Sequence, residues 1–129
     1  MKHFPRLTLL LVAAASFALS LSSAMAGESP ARLVNGALVD AKGMTLYTFD
    51  KDVAGSGKST CNGPCAALWP PANAAATDRA SGAFTIVVRD DGSRQWAYRG
   101  KPIYTYQADQ KPGERAGDNV KDVWHIIKA

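Results

Sequence analysis

The sequence predicts an all-β protein, mostly antiparallel, in which one compact domain is made of two similar β-hairpin or meander units with long loops. Three observations carry this prediction. The stretch Gly43-Met-Thr-Leu-Tyr-Thr-Phe-Asp-Lys-Asp52 returns later as Gly100-Lys-Pro-Ile-Tyr-Thr-Tyr-Gln-Ala-Asp109. Turn-forming pairs separate short apolar runs through most of the chain. No segment after Leu21 keeps the 3.6-residue period that an amphipathic helix requires.

The first 26 residues have the pattern of a cleaved secretory signal. Lys2, His3 and Arg6 form a basic start, and an uncharged, mostly apolar run follows from Leu7 to Leu21. Ala24-Met-Ala26 then supplies the small residues of a cleavage site. The apolar run is shorter than the roughly 20 residues of a bilayer span, so we expect no transmembrane segment. No Cys stands at the predicted cleavage point for lipid attachment, and we expect a periplasmic or secreted protein.

Residues 27–129 are expected to form a single secreted domain. Repeat unit one is predicted at about 32–71, a linker at about 72–82 and repeat unit two at about 83–128. Removal of the signal lowers the formal charge from +4 to +2, because two basic residues leave with it. The remaining basic residues are scattered and form no run that could bind along a phosphate backbone, so we expect no nucleic-acid partner. We also expect the protein to be a monomer.

Turn signals in unit one separate three short strands, predicted at Leu33 to Val34, Ala37 to Val39 and Met44 to Phe49. Asn35-Gly36 is one of the strongest two-residue hairpin signals. Asp40 to Gly43 forms the second turn. The third strand carries apolar side chains on both faces, which predicts that it is covered on both sides.

The middle of the chain is predicted to be mostly irregular. Asp50 to Pro71 contains several Gly and Pro residues, with room for a single helical turn at Cys65 to Leu68. Ala72 to Gly82 is small, polar and weakly patterned, and a short helix over its Ala-rich part is the alternative to a plain linker.

Unit two contains four predicted strands, at Phe84 to Arg89, Arg94 to Tyr98, Ile103 to Tyr106 and Val123 to Ile127. Asp90-Asp-Gly92 is a hairpin turn between the first two strands. A long loop with Pro and Gly residues, Gln107 to Lys121, precedes the last strand.

Each repeat places an aromatic residue two positions after a Tyr and an Asp five positions after it, and a Trp closes the unit. These eight residues are Tyr47, Phe49, Asp52 and Trp69 in unit one and Tyr104, Tyr106, Asp109 and Trp124 in unit two. The two aromatics share a strand face and can form part of a core. Together with the closing Trp of each unit and Trp96, they are expected to be mostly buried. The Asp follows the strand, where it can accept hydrogen bonds from turn N–H groups or from a Trp or Tyr donor. We expect a structural role for this motif.

The two copies, Tyr47-x-Phe49-x-x-Asp52 and Tyr104-x-Tyr106-x-x-Asp109, resemble the Tyr-x-(Phe/Trp/Tyr)-x-x-Asp motif of a bacterial family of secreted repeats, often described as predicted lipoproteins. The doubled motif, the Cys pair in the loop and Trp69-Pro-Pro71 carry the resemblance, which covers nearly all of the chain after the signal. That family has no assigned biochemical function, so the resemblance implies fold and compartment but no activity. This chain differs in lacking a Cys for lipid attachment.

Cys61 and Cys65 are expected to form a structural disulfide, because an exported chain meets an oxidising compartment. The ring is very small, so the bridge should fix a local turn and stabilise the domain only slightly. The alternative is a copper or thiol-redox pair with Met44 and His125 as further ligands, since soft thiolates select Cu(I). His125 is the only His after the signal, and no βαβ pattern accompanies the Cys pair, so the disulfide is preferred.

Two loop patterns resemble ligand sites but are incomplete. Asp50-x-Asp52 with Gly55 and Gly57 lacks the further oxygen ligands and the closing Glu of a calcium loop. Gly55-Ser-Gly-Lys-Ser-Thr60 lacks the first Gly of a phosphate loop. We expect no metal and no cofactor.

The function predicted from these patterns is a non-enzymatic envelope module, binding or structural, whose partner would be an envelope protein, a polymer or a small ligand. No nucleophile and base stand at a suggestive spacing, and a single His limits acid–base catalysis. Trp69, Trp96 and Trp124 could form a platform for planar ligands, although three Trp in a small β domain are more often its core. The competing hypothesis is a periplasmic copper-binding or thiol-redox protein that uses the Cys pair.

Overall fold

The computed structural model describes residue 3 and residues 29–129. The predicted signal segment, residues 1–26, lies outside the described residues apart from His3. In the described part, no helix has the length and apolar character needed to cross a membrane.

The described residues form seven short strands and two short helical turns. In chain order these are β1 (Ala31–Val34), β2 (Ala37–Asp40), β3 (Tyr47–Phe49), α1 (Pro64–Leu68), β4 (Phe84–Val88), β5 (Arg94–Tyr98), β6 (Lys101–Pro102), a 3-10 turn (Val120–Asp122) and β7 (Trp124–Ile126). Helix α1 forms where the sequence predicts a single helical turn, at Cys65 to Leu68, and begins one residue earlier. Residues 72–82 contain no helix, so the Ala-rich part is not helical. Strand β3 is shorter than predicted, because Thr45 makes only an isolated bridge to Val39.

The strands pair as three small antiparallel sheets, which confirms the prediction of a mostly antiparallel all-β protein. Strand β1 pairs with β2, β3 pairs with β7, and β4, β5 and β6 form a three-stranded sheet. Asn35 and Gly36 connect β1 to β2 with φ values of 50° and 78°. Both values lie in the left-handed region that a type I′ hairpin turn requires, which explains the Asn-Gly pair.

The pairing around β3 joins the two repeats. Tyr47 and Phe49 of unit one lie opposite Ile126 and Trp124 of unit two. On its other side Tyr47 bridges Tyr104, and Tyr104 in turn bridges Pro71. The segment that closes each repeat therefore lies against the motif of the other repeat, in a pseudo-twofold arrangement centred between Tyr47 and Tyr104.

Two cores lie on opposite faces of the motif segments. The aliphatic core contains Ala31, Leu38, Leu46, Trp96, Ile103 and Ile127. The aromatic core contains Tyr47, Phe49, Cys61, Trp69, Tyr104 and Trp124. Leu46 and Ile103 each precede a motif Tyr, and successive side chains in extended backbone point to opposite faces. This alternation is why both faces of the motif segment are covered.

Candidate functional site

The two motif tyrosines are paired through their backbones at the centre of the molecule. The Tyr47 N–H donates to the Tyr104 carbonyl at 2.8 Å, and the Tyr104 N–H donates to the Tyr47 carbonyl at 2.9 Å. Both residues are fully buried. This reciprocal pair places the two motif strands side by side and directs both phenol rings into the aromatic core.

Each tyrosine donates its hydroxyl hydrogen to the motif carboxylate of the other repeat. Tyr47 Oη lies 2.5 Å from Asp109 Oδ2, and Tyr104 Oη lies 2.6 Å from Asp52 Oδ2. The two Asp residues are only 3% and 7% exposed. Hydrogen bonds to an ionised acceptor are shorter and about twice as strong as neutral ones. The motif therefore links the two repeats through crossed Tyr–Asp pairs.

The second oxygen of each carboxylate holds the loop that follows it. Asp52 Oδ1 accepts hydrogen bonds from the Thr60 N–H at 2.8 Å and from the Thr60 hydroxyl at 2.7 Å. Asp109 Oδ1 accepts one from the Ala116 N–H at 2.9 Å. Both oxygens of both motif carboxylates are thus engaged, and each Asp joins a loop of its own repeat to a tyrosine of the other.

The glycines at the start of the motif make the same kind of crossed contact. The Gly43 carbonyl accepts from the Gly113 N–H at 3.2 Å, and the Gly100 carbonyl accepts from the Gly55 N–H at 2.9 Å. Gly100 has a φ of +85°, and a Cβ there would lie 2.8 Å from the Gly55 nitrogen. A side chain at Gly100 would strain the backbone and block this contact. Gly43 has a φ of +82°, and a Cβ there would lie 3.1 Å from Cβ of Pro112, so both motifs begin with a glycine for a backbone reason.

The two crossed pairs differ in the second partner of the phenol. The Tyr104 hydroxyl lies 2.6 Å from the Ser59 hydroxyl, whereas the Tyr47 hydroxyl accepts the Gly117 N–H at 3.2 Å. The second hydrogen-bond partner of the phenol is therefore a side chain, Ser59, in unit one and a backbone N–H, that of Gly117, in unit two.

Ser59 connects the first pair to a buried arginine. The Arg89 guanidinium is 6% exposed and donates to Ser59 Oγ at 2.9 Å, to Gln95 Oε1 at 2.6 Å and to the Cys61 carbonyl at 2.5 Å. Among residues 29–129 the single ion pair joins His125 to Asp50, so neutral acceptors surround the Arg89 charge. Burying a charge requires such hydrogen bonds, and they fix the loop that carries Cys61.

The environment of both phenols strongly favours their protonated form. Burial raises the pKa of Tyr47 well above its ordinary value, and the hydrogen bond to Asp109 raises it further. Burial likewise raises the pKa of Tyr104, followed in size by the hydrogen bond to Asp52. A phenolate would place a second negative charge beside a buried carboxylate, so these tyrosines act as hydrogen-bond donors at neutral pH.

Four aromatic rings stack across the pseudo-twofold axis. The centroid distances are 4.2 Å between Phe49 and Trp124, 3.8 Å between Trp124 and Trp69, and 4.0 Å between Trp69 and Tyr106. The two Trp rings are parallel to within 2°. Six of the seven aromatics expected in the core are buried, and Tyr106, at the end of the stack, is half-buried. We call these four rings the aromatic stack.

One edge of the aromatic stack lines a cleft of about 320 Å³. The other lining residues lie just after β3, in α1, and in or next to the 3-10 turn. They are Lys51, Cys65, Leu68, Val120, Lys121 and Val123. The lining is mainly apolar and aromatic, as in sites for small organic molecules. Trp96 lies in the aliphatic core, apart from the other two Trp residues.

Cys61 and Cys65 form a disulfide, which confirms that prediction. Their Cα atoms are 5.2 Å apart, within the ordinary range for a bridge. Cys61 is fully buried in the aromatic core, and Cys65 is the second residue of the helical turn that forms one wall of the cleft. The bridge therefore ties the cleft wall to the core.

The candidate ligands for copper and calcium have other partners or lie apart. The Cys sulfurs are bonded to each other, and His125 lies between Asp50 Oδ2 at 2.8 Å and Asn119 Oδ1 at 3.1 Å. Met44 precedes β3 and is half-buried. No group of three or more His, Cys, Asp or Glu side chains suited to a metal ion occurs among the described residues.

Several residues of the site are absent from the sequence prediction. The sequence predicts Arg89 only as the end of a strand, and no sequence motif assigns a role to Ser59, Gln95 or Gly117. One signal was available: Ser59 and Gly117 lie seven and eight residues after the two motif Asp residues, at nearly the same offset.

Comparison with known proteins supports the internal duplication. A family model described as a secreted repeat of unknown function matches residues 35–73 and, a second time, residues 85–128. A search of curated proteins and a search of solved structures each find no match to this chain. Each of the two matched segments contains one complete Tyr–Asp motif and its closing Trp.

Proposed function

This chain belongs to the family of secreted repeats of unknown function, and we propose that it is a non-enzymatic periplasmic or secreted module that binds a ligand or partner. In this proposal the repeated motif is the scaffold, and binding takes place on the residues that differ between the repeats. Those residues lie mainly in the loops, where rigid scaffolds commonly carry their functional groups.

The crossed Tyr–Asp pairs are the observation that carries the proposal. A catalytic carboxylate needs a free oxygen within reach of a substrate, and a catalytic phenol must give up its proton. Asp52 and Asp109 are buried, and both oxygens of each already accept hydrogen bonds. Their tyrosine partners have strongly raised pKa values. This chemistry suits a structural link between repeats better than a reaction centre.

The duplication supports the same interpretation. The two Tyr–Asp pairs have the same form in the two halves of the molecule, and each makes the same kind of link. An active site built from such repeats would normally use different groups in the two halves. The pairs instead repeat one structural task, which agrees with a scaffold.

The proposal is tested by removing each motif carboxylate. We expect Asp52→Ala and Asp109→Ala each to lower the free energy of unfolding by roughly 1–3 kcal/mol, because a buried donor loses its acceptor. Asp50→Ala is the matched control, since that carboxylate is 46% exposed and should matter little. Thermal and urea unfolding of the exported protein provide the measurement.

The result that would contradict the scaffold is equally specific. If both motif variants unfold like the wild type while copper or calcium raises the wild-type midpoint sharply, the motif serves a metal site. A metal-independent loss of stability in both variants, with Asp50→Ala unchanged, supports the module.

A further inference from the structure

The cleft beside the aromatic stack is duplicated in its apolar lining. Aligning the sequences of the two repeats on their closing Trp residues matches Trp69 with Trp124, Leu68 with Val123 and Cys65 with Val120, each 55 positions apart, and all six line the cleft. Aligning the two motifs, which are 57 positions apart, matches Phe49 with Tyr106. The apolar wall of the cleft therefore follows from the repeat itself.

The charged residues of the cleft do not follow the match between the two repeats. The alignment on the closing Trp residues matches Lys121 with Ala66, and the alignment of the motifs matches Lys51 with Ala108. Both lysines are exposed, and among residues 29–129 no other charged residue lines the cleft. Because the described part of the chain contains no ion pair to either lysine, their charges are available to a ligand.

The two lysines belong to the same half of the cleft. Lys51 follows β3 by two residues, and Lys121 precedes β7 by three. These two strands pair, with Phe49 opposite Trp124. The corresponding half, formed by Tyr106, Trp69 and Leu68, has alanines in place of the lysines. The cleft is thus cationic towards one end and apolar towards the other, and Leu68 leaves 52% of its surface exposed there.

We propose that this cleft binds a small aromatic carboxylate. The aromatic body of the ligand would contact the ring edges of the stack and Leu68, since aromatic groups pair well edge to face. Its carboxylate would lie towards Lys51 and Lys121. The cleft volume of about 320 Å³ is sufficient for a ligand of one or two rings. The inference rests on the proposed function in one respect, because the ligand is bound and not transformed.

Calorimetric titration of the exported protein with 2-naphthoate tests the inference, with 2-naphthylmethanol as the neutral probe of the same shape. We expect single-site binding of the carboxylate, about tenfold tighter than binding of the alcohol, because two partly exposed ion pairs contribute. In the double variant Lys51→Ala/Lys121→Ala, the carboxylate should bind only as weakly as the alcohol does.

Matched variants separate the cleft from general effects of charge. Lys42→Ala/Lys128→Ala removes two exposed lysines outside the cleft and should keep carboxylate affinity within about twofold. Leu68→Ala should weaken both probes, because it removes apolar surface at the cleft. All three variants alter exposed side chains and should unfold like the wild type.

Three results would overturn the inference: no carboxylate binding, equal affinity for the two probes, or equal loss in the two double-lysine variants. None of them concerns the stability of the Asp52→Ala and Asp109→Ala proteins. If the cleft does not bind the carboxylate, the unfolding test of the scaffold proposal is unaffected. If the scaffold proposal is wrong, the unfolding measurements on the Asp variants show it without any ligand.

Discussion

Gly117 should not tolerate even a methyl group, because it lies at the junction of a crossed pair and the aromatic stack. A Cβ at this position would lie 2.8 Å from two ring carbons of Trp69 and 2.9 Å from Cζ of Tyr47. Trp69 cannot easily move away, since it is stacked between Trp124 and Tyr106. The Gly117 N–H would also be pushed from the Tyr47 hydroxyl. Overpacking of this kind costs about 1–3 kcal/mol, and we expect Gly117→Ala near the upper value.

The assay is urea unfolding followed by Trp fluorescence, together with near-ultraviolet circular dichroism of the stacked Trp pair. Gly57→Ala is the control, because Gly57 has a φ of +72° and no atom near its missing Cβ. The control should lose about 1–2 kcal/mol through backbone strain and keep the wild-type aromatic spectrum. If Gly117→Ala stays within about 0.5 kcal/mol of the wild type with an unchanged spectrum, the close packing described for Trp69 is wrong.

Two further predictions concern pH and redox state. Because the folded pKa values of Tyr47 and Tyr104 are raised above the ordinary value of about 10, the unfolded chain loses these protons first, so stability should fall as pH rises above 10. Absorbance titration of the folded protein checks this prediction. Because Tyr47 and Tyr104 should remain protonated near pH 10, Tyr47→Phe and Tyr104→Phe should leave the phenolate absorbance that develops around that pH unchanged. A decrease of that absorbance in either variant would contradict the raised pKa values. Reduction of Cys61–Cys65 should lower the unfolding free energy by about 2 kcal/mol or less. Two free thiols in the denatured, unreduced protein would refute the bridge.

Much of the fold follows from local sequence signals. The Asn35-Gly36 turn needs two residues at positive φ, and few other pairs supply them cheaply. The apolar side chains on both faces of Met44 to Phe49 correctly predict that this strand is covered on both sides. These features depend on neighbouring residues, so a single sequence contains the information.

The Tyr–Asp hydrogen bonds between the two repeats could not be predicted from local sequence signals. The spacing within one motif tells which side chains share a face, but it says nothing about which strand lies alongside. The sequence predicts that Asp52 accepts hydrogen bonds from its turn or from a Trp or Tyr donor. The identity of that donor, Tyr104, depends on the backbone pairing of Tyr47 with Tyr104. Long-range pairing of this kind is settled by the whole fold.

The burial of Arg89 and the position of the two cleft lysines also depend on contacts between residues far apart in the sequence. An arginine at the end of a strand is normally solvated, and burial of Arg89 becomes favourable only because Ser59, Gln95 and the Cys61 carbonyl meet around it. Lys51 and Lys121 stand 70 positions apart in the sequence. They line one cleft only because β3 pairs with β7, which is again a long-range contact.

The central claim is that the Tyr–Asp motif acts between repeats, and double-mutant cycles test it most directly. In urea unfolding, Tyr104→Phe with Asp52→Ala should show a coupling free energy of about 1.5–3 kcal/mol, as for a buried hydrogen bond to a charged group. The same substitutions placed within one motif, Tyr47→Phe with Asp52→Ala, should be additive to within about 0.5 kcal/mol. Strong coupling within the motif, or additivity across the repeats, would contradict the crossed arrangement.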